Sequence, residues 1–392
     1  MRTQVGIIGA GPAGLTLGLL LQREGIECVI LENRGRDYVE RRARAGLLEQ
    51  NTVDLMRALG VADRLGREAL EHDGIKLRHH GETIDIAITE LTGRHVTIYG
   101  QHEVLKDLIA SALERELPLN FEVADTAVHE IDSARPRVTY TDASGSPQQL
   151  ECDFIAGCDG FHGISRDAIP PGILSVYEIE YPFGWLGILA HAAPATDELI
   201  YAWHDRGFAL YTMRSKKVSR LYIQVPVEER VEEWPDDRVW EELQLRLATE
   251  GWRVNEGEVF DKAITPMRSA VCEPMQYGRL LIAGDAAHIV PPTGAKGLNL
   301  AVNDARLMAA AIEAFYRTGS DEPVQRYSER ALRRVWRAQD FSNYMTQLLH
   351  DLGHGPFDSK LQLARLEYLK RSEAAARSLA ENYAGLPAEP DF

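Results

Sequence analysis

Cysteine is scarce in this chain: four residues in 392, at positions 28, 152, 158 and 272, with no Cys-x-x-Cys pair and no histidine at ligand spacing. That scarcity excludes a disulfide framework, gives no reason to expect a metal site, and points to a reduced, cytoplasmic protein. Long apolar runs are missing too, since no segment reaches the ~18 consecutive apolar residues of a membrane span. The stretch from Arg2 to Leu21 imitates a signal peptide, but Gly9, Gly11, Pro12 and Gly14 would break its helix. Basic residues are the minority, 43 against 59 acidic, for a formal net charge of −16. Nucleic acid, which needs clustered Lys and Arg, is therefore not an expected partner. A small anion remains possible, because one local arginine group can reverse the global sign. Internal repeats and Gly/Ser linkers are also lacking, so the two or three domains that this length suggests should pack closely.

What is present reads as α/β. Residues 5–8 are a short apolar run bounded by glycine, as in a buried parallel strand. A helix over 15–23 and a second strand over 27–31 complete a βαβ unit. Residues 102–116 are helix-periodic, and short strands follow near 119–124, 137–141 and 153–156. Between 174 and 226 the pattern turns β-rich and aromatic with no helix between the strands, which predicts an antiparallel sheet in a second domain. Residues 233–250 and 301–317 read as helices and 280–283 as a buried strand. From about 323 onward the chain reads as long amphipathic helix ending at Pro387.

Three motifs carry chemistry. Gly9, Gly11 and Gly14 form a G-x-G-x-x-G between the first strand and its helix. The first glycine permits the turn, the second lets a pyrophosphate reach the backbone, and the third allows close helix–strand packing. Glu32, at the end of the second strand, can accept hydrogen bonds from an adenosine ribose, which suits FAD or NAD better than NADP. A bare glycine pattern is weak; the flanking strand, helix and acid strengthen it. Strand 280–283 then runs into Gly284-Asp285, with Pro291, Pro292, Gly294, Gly297, Leu298 and Asn299 before the next helix, a second dipole end for an electron-rich ligand. An Asp capping its own helix is the common alternative. Between them lies the Asp159-Gly160 turn.

In this order and spacing, the three motifs resemble the class A flavoprotein aromatic hydroxylases. The likeness extends to AGCDGFHGISR (156–166), YPFGWLG (181–187), RGFAL (206–210), GDAAHIVPPTGAKGLNLA (284–301) and ENYAGLP (381–387). It implies a glutathione-reductase-like FAD-binding βαβ domain (1–73, 98–180 and 270–319), an antiparallel-sheet substrate domain (74–97 and 181–269) and a C-terminal helical region (320–392). The implied reaction converts 4-hydroxybenzoate to 3,4-dihydroxybenzoate with NAD(P)H and O2 through a flavin C4a-hydroperoxide. A homodimer joined by the C-terminal helices is implied as well.

The resemblance assigns residues one by one. Arg214 becomes a carboxylate clamp, since a planar guanidinium binds carboxylate bidentately; Thr212 and Tyr222 would add hydroxyl contacts. Thr212 shares a strand parity with Arg214 and stands where the family usually has Ser. A strand Arg without that resemblance would more often be a surface ion pair. Tyr201 and Tyr383 resemble a pair relaying the phenolic proton towards His72, which has the pKa range to exchange it. The backbone carbonyl of Pro292 would face the substrate. Arg42, Arg44, Gln101, Asp159, Asp285, Gly297, Leu298 and Asn299 look like FAD contacts, and Arg220 like the arginine that influences flavin position. The reductant would meet Tyr38, Arg42, Arg44, Phe161, His162 and Arg268. Arg34 and Arg36 lean towards NADPH, while Glu40 beside them leaves NADH open. Two rivals stand: a related hydroxylase taking 3,4-dihydroxybenzoate or an aminobenzoate, and a flavin-holding protein without turnover.

Overall fold

The computed structural model describes residues 1–41 and 46–388. Its first layer is a six-stranded sheet in the order Gln276–Tyr277, Leu280–Ile282, Phe154–Gly157, Val5–Ile8, Cys28–Leu31, Leu119–Asn120. Every pairing is parallel except that of the edge strand Gln276–Tyr277. Val5–Ile8 is buried at all four positions, which is why it reads as an unbroken apolar run rather than an alternation. The helix Pro12–Arg23 buries residues 13 to 21 against this sheet and the helix Gly297–Thr318. Proline at its first position fits there because that N–H has no intrahelical partner.

The second layer is an eight-stranded sheet in the order His288–Ile289, Glu258–Glu273, Ser175–His191, Val218–Val225, Ala209–Ser215, Leu199–Trp203, Ile75–His79, Glu82–Ile86. The β-rich, helix-free reading of 174–226 is correct, but the sheet is mixed: Leu199–Trp203 pairs parallel with Ile75–His79. That hairpin strand arrives from before the helix Gln101–Glu114, a pairing that a local pattern cannot reveal. Two three-stranded sheets complete the β structure, one of Ala124–His129, Arg137–Thr141 and Pro147–Glu151, the other of Leu47–Leu48, Val96–Ile98 and Leu70–His72.

The C-terminal region is not one long helix. Tyr327–Leu349 stops before Gly353 and Gly355, both at positive φ, and Pro356–Arg371 restarts with proline in its first turn. Ser372 then caps Glu373–Ala384, its hydroxyl accepting from the Ala375 amide at 3.3 Å. The last helix ends at Ala384, before the expected Pro387, because Gly385 leaves helical geometry at φ 84°. Among the described residues no helix is long and apolar enough to cross a membrane.

The large sheet has two different faces. Leu186, Ile188, Ile200, Tyr211, Leu221 and Ile223 turn to one side and pack with Trp234, Val239 and Leu243 around the helix Asp236–Arg246. Tyr201, Leu210, Trp185 and Phe183 turn to the other, against Phe341, Leu366, Leu379 and Tyr383 of the C-terminal helices. Each fully buried Leu or Ile in these layers contributes roughly 1.5–3 kcal/mol. The second face also carries the polar residues Tyr201, Thr212, Arg220 and Tyr222.

Candidate active site

Register places the polar residues. In the antiparallel ladder Tyr201 faces Leu210, Leu210 faces Tyr222, and Thr212 faces Arg220. Directly opposed residues share a face, as do residues two apart on one strand. Tyr201, Thr212, Arg220 and Tyr222 therefore stand on one face; the register shifts between Met213 and Ser215 on the strand Ala209–Ser215, and Arg214 joins the group through its side-chain hydrogen bond with Tyr222. Gly187, opposite Tyr222, leaves that ring its space: a Cβ there would lie 3.3 Å from it.

Arg214 is half-buried, and among the described residues no carboxylate forms an ion pair with it. Burial, and then the positive charge of Arg220, pull its pKa down to about 10, while the neighbouring Tyr222 hydroxyl acts the other way. Arg220 leans over the Tyr222 ring at 5.2 Å, and its Nε and one terminal nitrogen are buried without a protein partner. Both arginines depress the pKa of His102, after burial. In a chain of net charge −16 this pocket is locally positive. The bland alternative for Arg214, a surface ion pair, does not describe it.

The hydroxyls of Tyr201 and Tyr383 are 2.6 Å apart, with both side chains at or below 1% exposure. Burial raises both pKa values, so both phenols are neutral near pH 7 and can pass a proton only by exchange. His72 is buried on the strand Leu70–His72, not exposed in a loop, and neither ring nitrogen has a protein partner. Burial lowers its pKa, against the pull of Glu198, Asp197 and Asp73. The Pro292 carbonyl accepts from the Ala295 amide at 2.9 Å, leaving its second lone pair.

A wall of aromatic rings adjoins the tyrosines. Trp185 stacks on Phe208 at 5.2 Å and meets Tyr222 at 4.8 Å; Phe208 lies 6.2 Å from Tyr201. His350, fully buried, accepts from the Trp185 indole N–H at 2.8 Å. Its Nδ1 lies 3.1 Å from the Thr346 carbonyl and must donate there, which fixes a neutral tautomer; burial pushes its pKa down to about 3. Sequence reasoning missed His350, whose link to Trp185 spans 165 positions.

The glycine loop has the shape of a phosphate cradle. A Cβ at Gly9 (φ 105°) would strike the Cys158 carbonyl at 2.3 Å, and one at Gly14 would lie 2.0 Å from the Gly9 carbonyl. At Gly11 it would meet nothing within 4 Å, so the loop is open only where a ligand would approach, beside the amino end of the helix Pro12–Arg23. Glu32 accepts from the Ala10 amide at 2.7 Å and the Arg34 amide at 2.8 Å, so it also braces this loop.

At the second motif, Asp285 sits half-buried in the turn Gly284–Ala286. Asp304 holds that turn, accepting from the Gly284 amide at 2.9 Å and contacting His288 Nε2 at 2.6 Å; despite burial it raises the His288 pKa. Gly297 and Leu298 open their helix with N–H groups that lack intrahelical partners. The Asn299 side chain is instead used internally, accepting from the Glu49 amide and the Thr52 hydroxyl and donating to the Leu47 and Ala295 carbonyls. These four bonds use the Asn299 amide group within the framework and leave its backbone to meet a ligand. Asp159 is likewise drawn inward, accepting through Oδ2 from the Ser165 amide and hydroxyl; its Oδ1 is buried without a partner.

Sequence reasoning also passed over Lys296, although it lies inside a quoted motif. Its buried ammonium donates to Glu49 at 2.7 Å and to the Tyr383 carbonyl at 3.0 Å, and Arg334 pairs with the other Glu49 oxygen. Although burial works the other way, Lys296 and Arg334 hold the Glu49 carboxyl below its ordinary range. A lysine in an otherwise apolar Gly-rich segment was the available signal.

Of the expected reductant contacts, Phe161, His162 and Arg268 come together: Arg268 lies 3.8 Å over the Phe161 ring, and His162 meets its edge at 5.1 Å. Tyr38 is 48% exposed, with Arg34 5.2 Å over its ring, and Arg36 pairs with Glu40 at 2.6 Å. Gln101 is half-buried at the first position of its helix. Arg42 and Arg44 lie outside the described residues.

Residues 2–342 match the family model described as FAD binding domain. The chain is 49% identical to a p-hydroxybenzoate hydroxylase of Acinetobacter baylyi, over 99% of this chain and 96% of that one. It is 28% identical to a 3-amino-4-hydroxybenzoate 2-monooxygenase of Streptomyces platensis over 85% of each. Among solved structures, p-nitrophenol 4-monooxygenase of Pseudomonas putida shares the fold at TM-score 0.82 and 19% identity, covering 99% of this chain and 100% of that one. A ternary complex of aklavinone-11 hydroxylase with FAD and aklavinone shares it at 0.74 and 20% identity, over 90% and 70%.

Proposed function

The chain belongs to the FAD binding domain family, and from that premise we propose that it is a flavin-dependent monooxygenase converting 4-hydroxybenzoate to 3,4-dihydroxybenzoate with NAD(P)H and O2. The observation that carries the substrate reading is Arg214: a half-buried guanidinium with no carboxylate partner among the described residues, hydrogen-bonded to Tyr222 on the sheet face that bears Tyr201. A planar carboxylate satisfies it bidentately, Thr212 and Tyr222 add hydroxyls, and a para-hydroxyl then points towards Tyr201. The 49% identity to a p-hydroxybenzoate hydroxylase supports the same choice.

The fit for FAD rests on the open side of Gly11, the brace at Glu32 and the free amides of Gly297 and Leu298. Gln101, Asp285 and the Asn299 backbone complete that set, with Arg220 near it and Asp159 held within the loop beyond; Arg42 and Arg44 are proposed as further FAD contacts on the family resemblance alone. Bound FAD supplies a ring that takes a hydride from the nicotinamide and activates O2. The chain's own task is the substrate proton. Tyr201 Oη takes it from the phenol while passing its own to Tyr383 Oη, and His72, neutral because burial lowers its pKa, is the base beyond. A phenolate carries more electron density at the ring carbon to be oxidised. Phe161, His162, Arg268 and Tyr38 receive the reductant, with Arg34 and Arg36 favouring NADPH.

The division into FAD-binding, substrate and C-terminal regions follows the two large sheets and the terminal helices. Phe357, Leu361 and Tyr368 repeat along one exposed stripe of Pro356–Arg371 and suit a second copy of the chain. All four cysteines are free and buried, as suits the cytoplasm. An amino-substituted 4-hydroxybenzoate is the second reading, favoured by the 28% identical relative. Oxidation of NADPH and NADH against a panel of 4-hydroxy-, 3,4-dihydroxy- and aminobenzoates, with the products identified, separates the two.

A further inference from the structure

We propose that His79, Glu82 and Glu367 form a binding site for one divalent transition-metal ion of the zinc, cobalt or nickel kind, tying the helix Pro356–Arg371 to the hairpin Ile75–Ile86. Each residue offers one ligand atom, and the three atoms lie within 4.8 Å of one another. His79 and Glu82 are register partners across the tight turn made by His80 (φ 47°) and Gly81 (φ 77°). Opposed residues of an antiparallel pair project to the same side, so an imidazole and a carboxylate are presented together. Glu367 comes from the helix packed on this hairpin.

Two carboxylates, one exposed and one half-buried, would mean little by themselves. The independent observation is His79, only 5% exposed, with both ring nitrogens buried and without a hydrogen-bond partner. An imidazole so placed loses hydrogen bonds to water and recovers none from the protein, whereas a metal ion takes its lone pair. One nitrogen and two carboxylate oxygens suit the borderline ions and leave a position for water. Their ligands sit about 3.3 Å apart around a tetrahedral centre, so the carboxylates must move inward by about 1 Å, which side chains reaching into solvent can do.

Two cations compete: Lys370 donates to Glu82 at 2.6 Å and Arg371 pairs with Glu367 at 3.2 Å. Both pairs reach solvent, so water and salt screen them and the ion can displace them. His80 also stands nearby, its ring edge-on to Trp203 at 5.2 Å. The site touches the reaction centre only through the backbone: His79 pairs with Trp203 and Leu77 with Tyr201. Sequence spacing could not show it, because the helix ligand lies far along the chain from the hairpin ligands, and the expectation of no metal site is revised on that ground.

The test is calorimetric titration of the purified FAD-loaded chain with ZnCl2, paired with thermal unfolding in one equivalent of zinc. A single site is expected, with a rise in Tm. His79→Phe and Glu367→Gln should each weaken binding at least about tenfold, and Lys370→Met should tighten it. Glu367→Gln changes a half-buried helix residue at constant size, losing only a solvent-screened pair with Arg371, and keeps the test open should His79→Phe fold poorly. Absence of saturable binding, or zinc binding indifferent to both substitutions, overturns the site. Magnesium bound as tightly as zinc would overturn its transition-metal character.

Discussion

The hydroxyls of Tyr201 and Tyr383 meet at 2.6 Å although the residues are 182 positions apart in the chain. One comes from a central strand of the large sheet and the other from the last helix, so their contact requires both to be docked. Since burial keeps both phenols neutral, the pair can move a proton only by exchanging hydrogen bonds. Tyr383→Phe is expected to fold and bind FAD, yet to lose about tenfold or more in hydroxylation with more NAD(P)H spent as peroxide. The ratio of product formed to NAD(P)H consumed measures it; an unchanged ratio at the native rate removes Tyr383 from the relay.

Arg214 gives the second expectation. Lysine keeps the charge and loses the planar fork, so Arg214→Lys should weaken 4-hydroxybenzoate binding about 10- to 100-fold, or ~1.4–2.7 kcal/mol. Bound FAD per chain should stay the same. Equilibrium titration of the flavin absorbance with substrate reads both quantities at once, and an unaltered dissociation constant would take Arg214 out of the clamp.

His350 governs a pH effect. The unfolded chain protonates this histidine below about pH 6.5, whereas the folded chain resists until about pH 3. The unfolded state therefore binds more protons throughout that window, and this contribution to stability falls as pH drops through it, by on the order of 5 kcal/mol in all. His288, raised by Asp304, works in the opposite direction, so the difference between native and variant is the useful quantity. His350→Gln keeps an acceptor for Trp185 and removes the titration. Urea unfolding at pH 7 and pH 4.5 should show a smaller loss for the variant; equal losses would contradict the assignment.

Lys296 lies under Tyr383, and its removal leaves Glu49 buried with Arg334 as its remaining close cation. Lys296→Met should cost about 3–5 kcal/mol, and adding Glu49→Gln should recover part of it, because a broken buried pair costs more than an absent one. Denaturant midpoints of the single and double variants check this; a double variant no better than the single one would mean the two residues are not coupled.

Local features were legible in the sequence. The glycine loop, its flanking strands and the Gly284-Asp285 turn showed as local patterns, and Gly9 and Gly14 stand where a Cβ would strike backbone. Contacts across distant elements were not. The parallel pairing of Leu199–Trp203 with Ile75–His79, the Glu49–Lys296 pair and the His350–Trp185 bond join segments whose local patterns carry no trace of one another. Asn299 shows the remaining gap: the motif marked the position, while nothing local showed that Glu49 and Thr52 would engage its side chain.

The most direct measurement is NAD(P)H oxidation by the FAD-loaded chain with and without 4-hydroxybenzoate, the product separated and identified. The expected result is about tenfold or greater stimulation with 3,4-dihydroxybenzoate as the product. Oxidation indifferent to 4-hydroxybenzoate, or stimulated without the diol appearing, would contradict the proposed reaction.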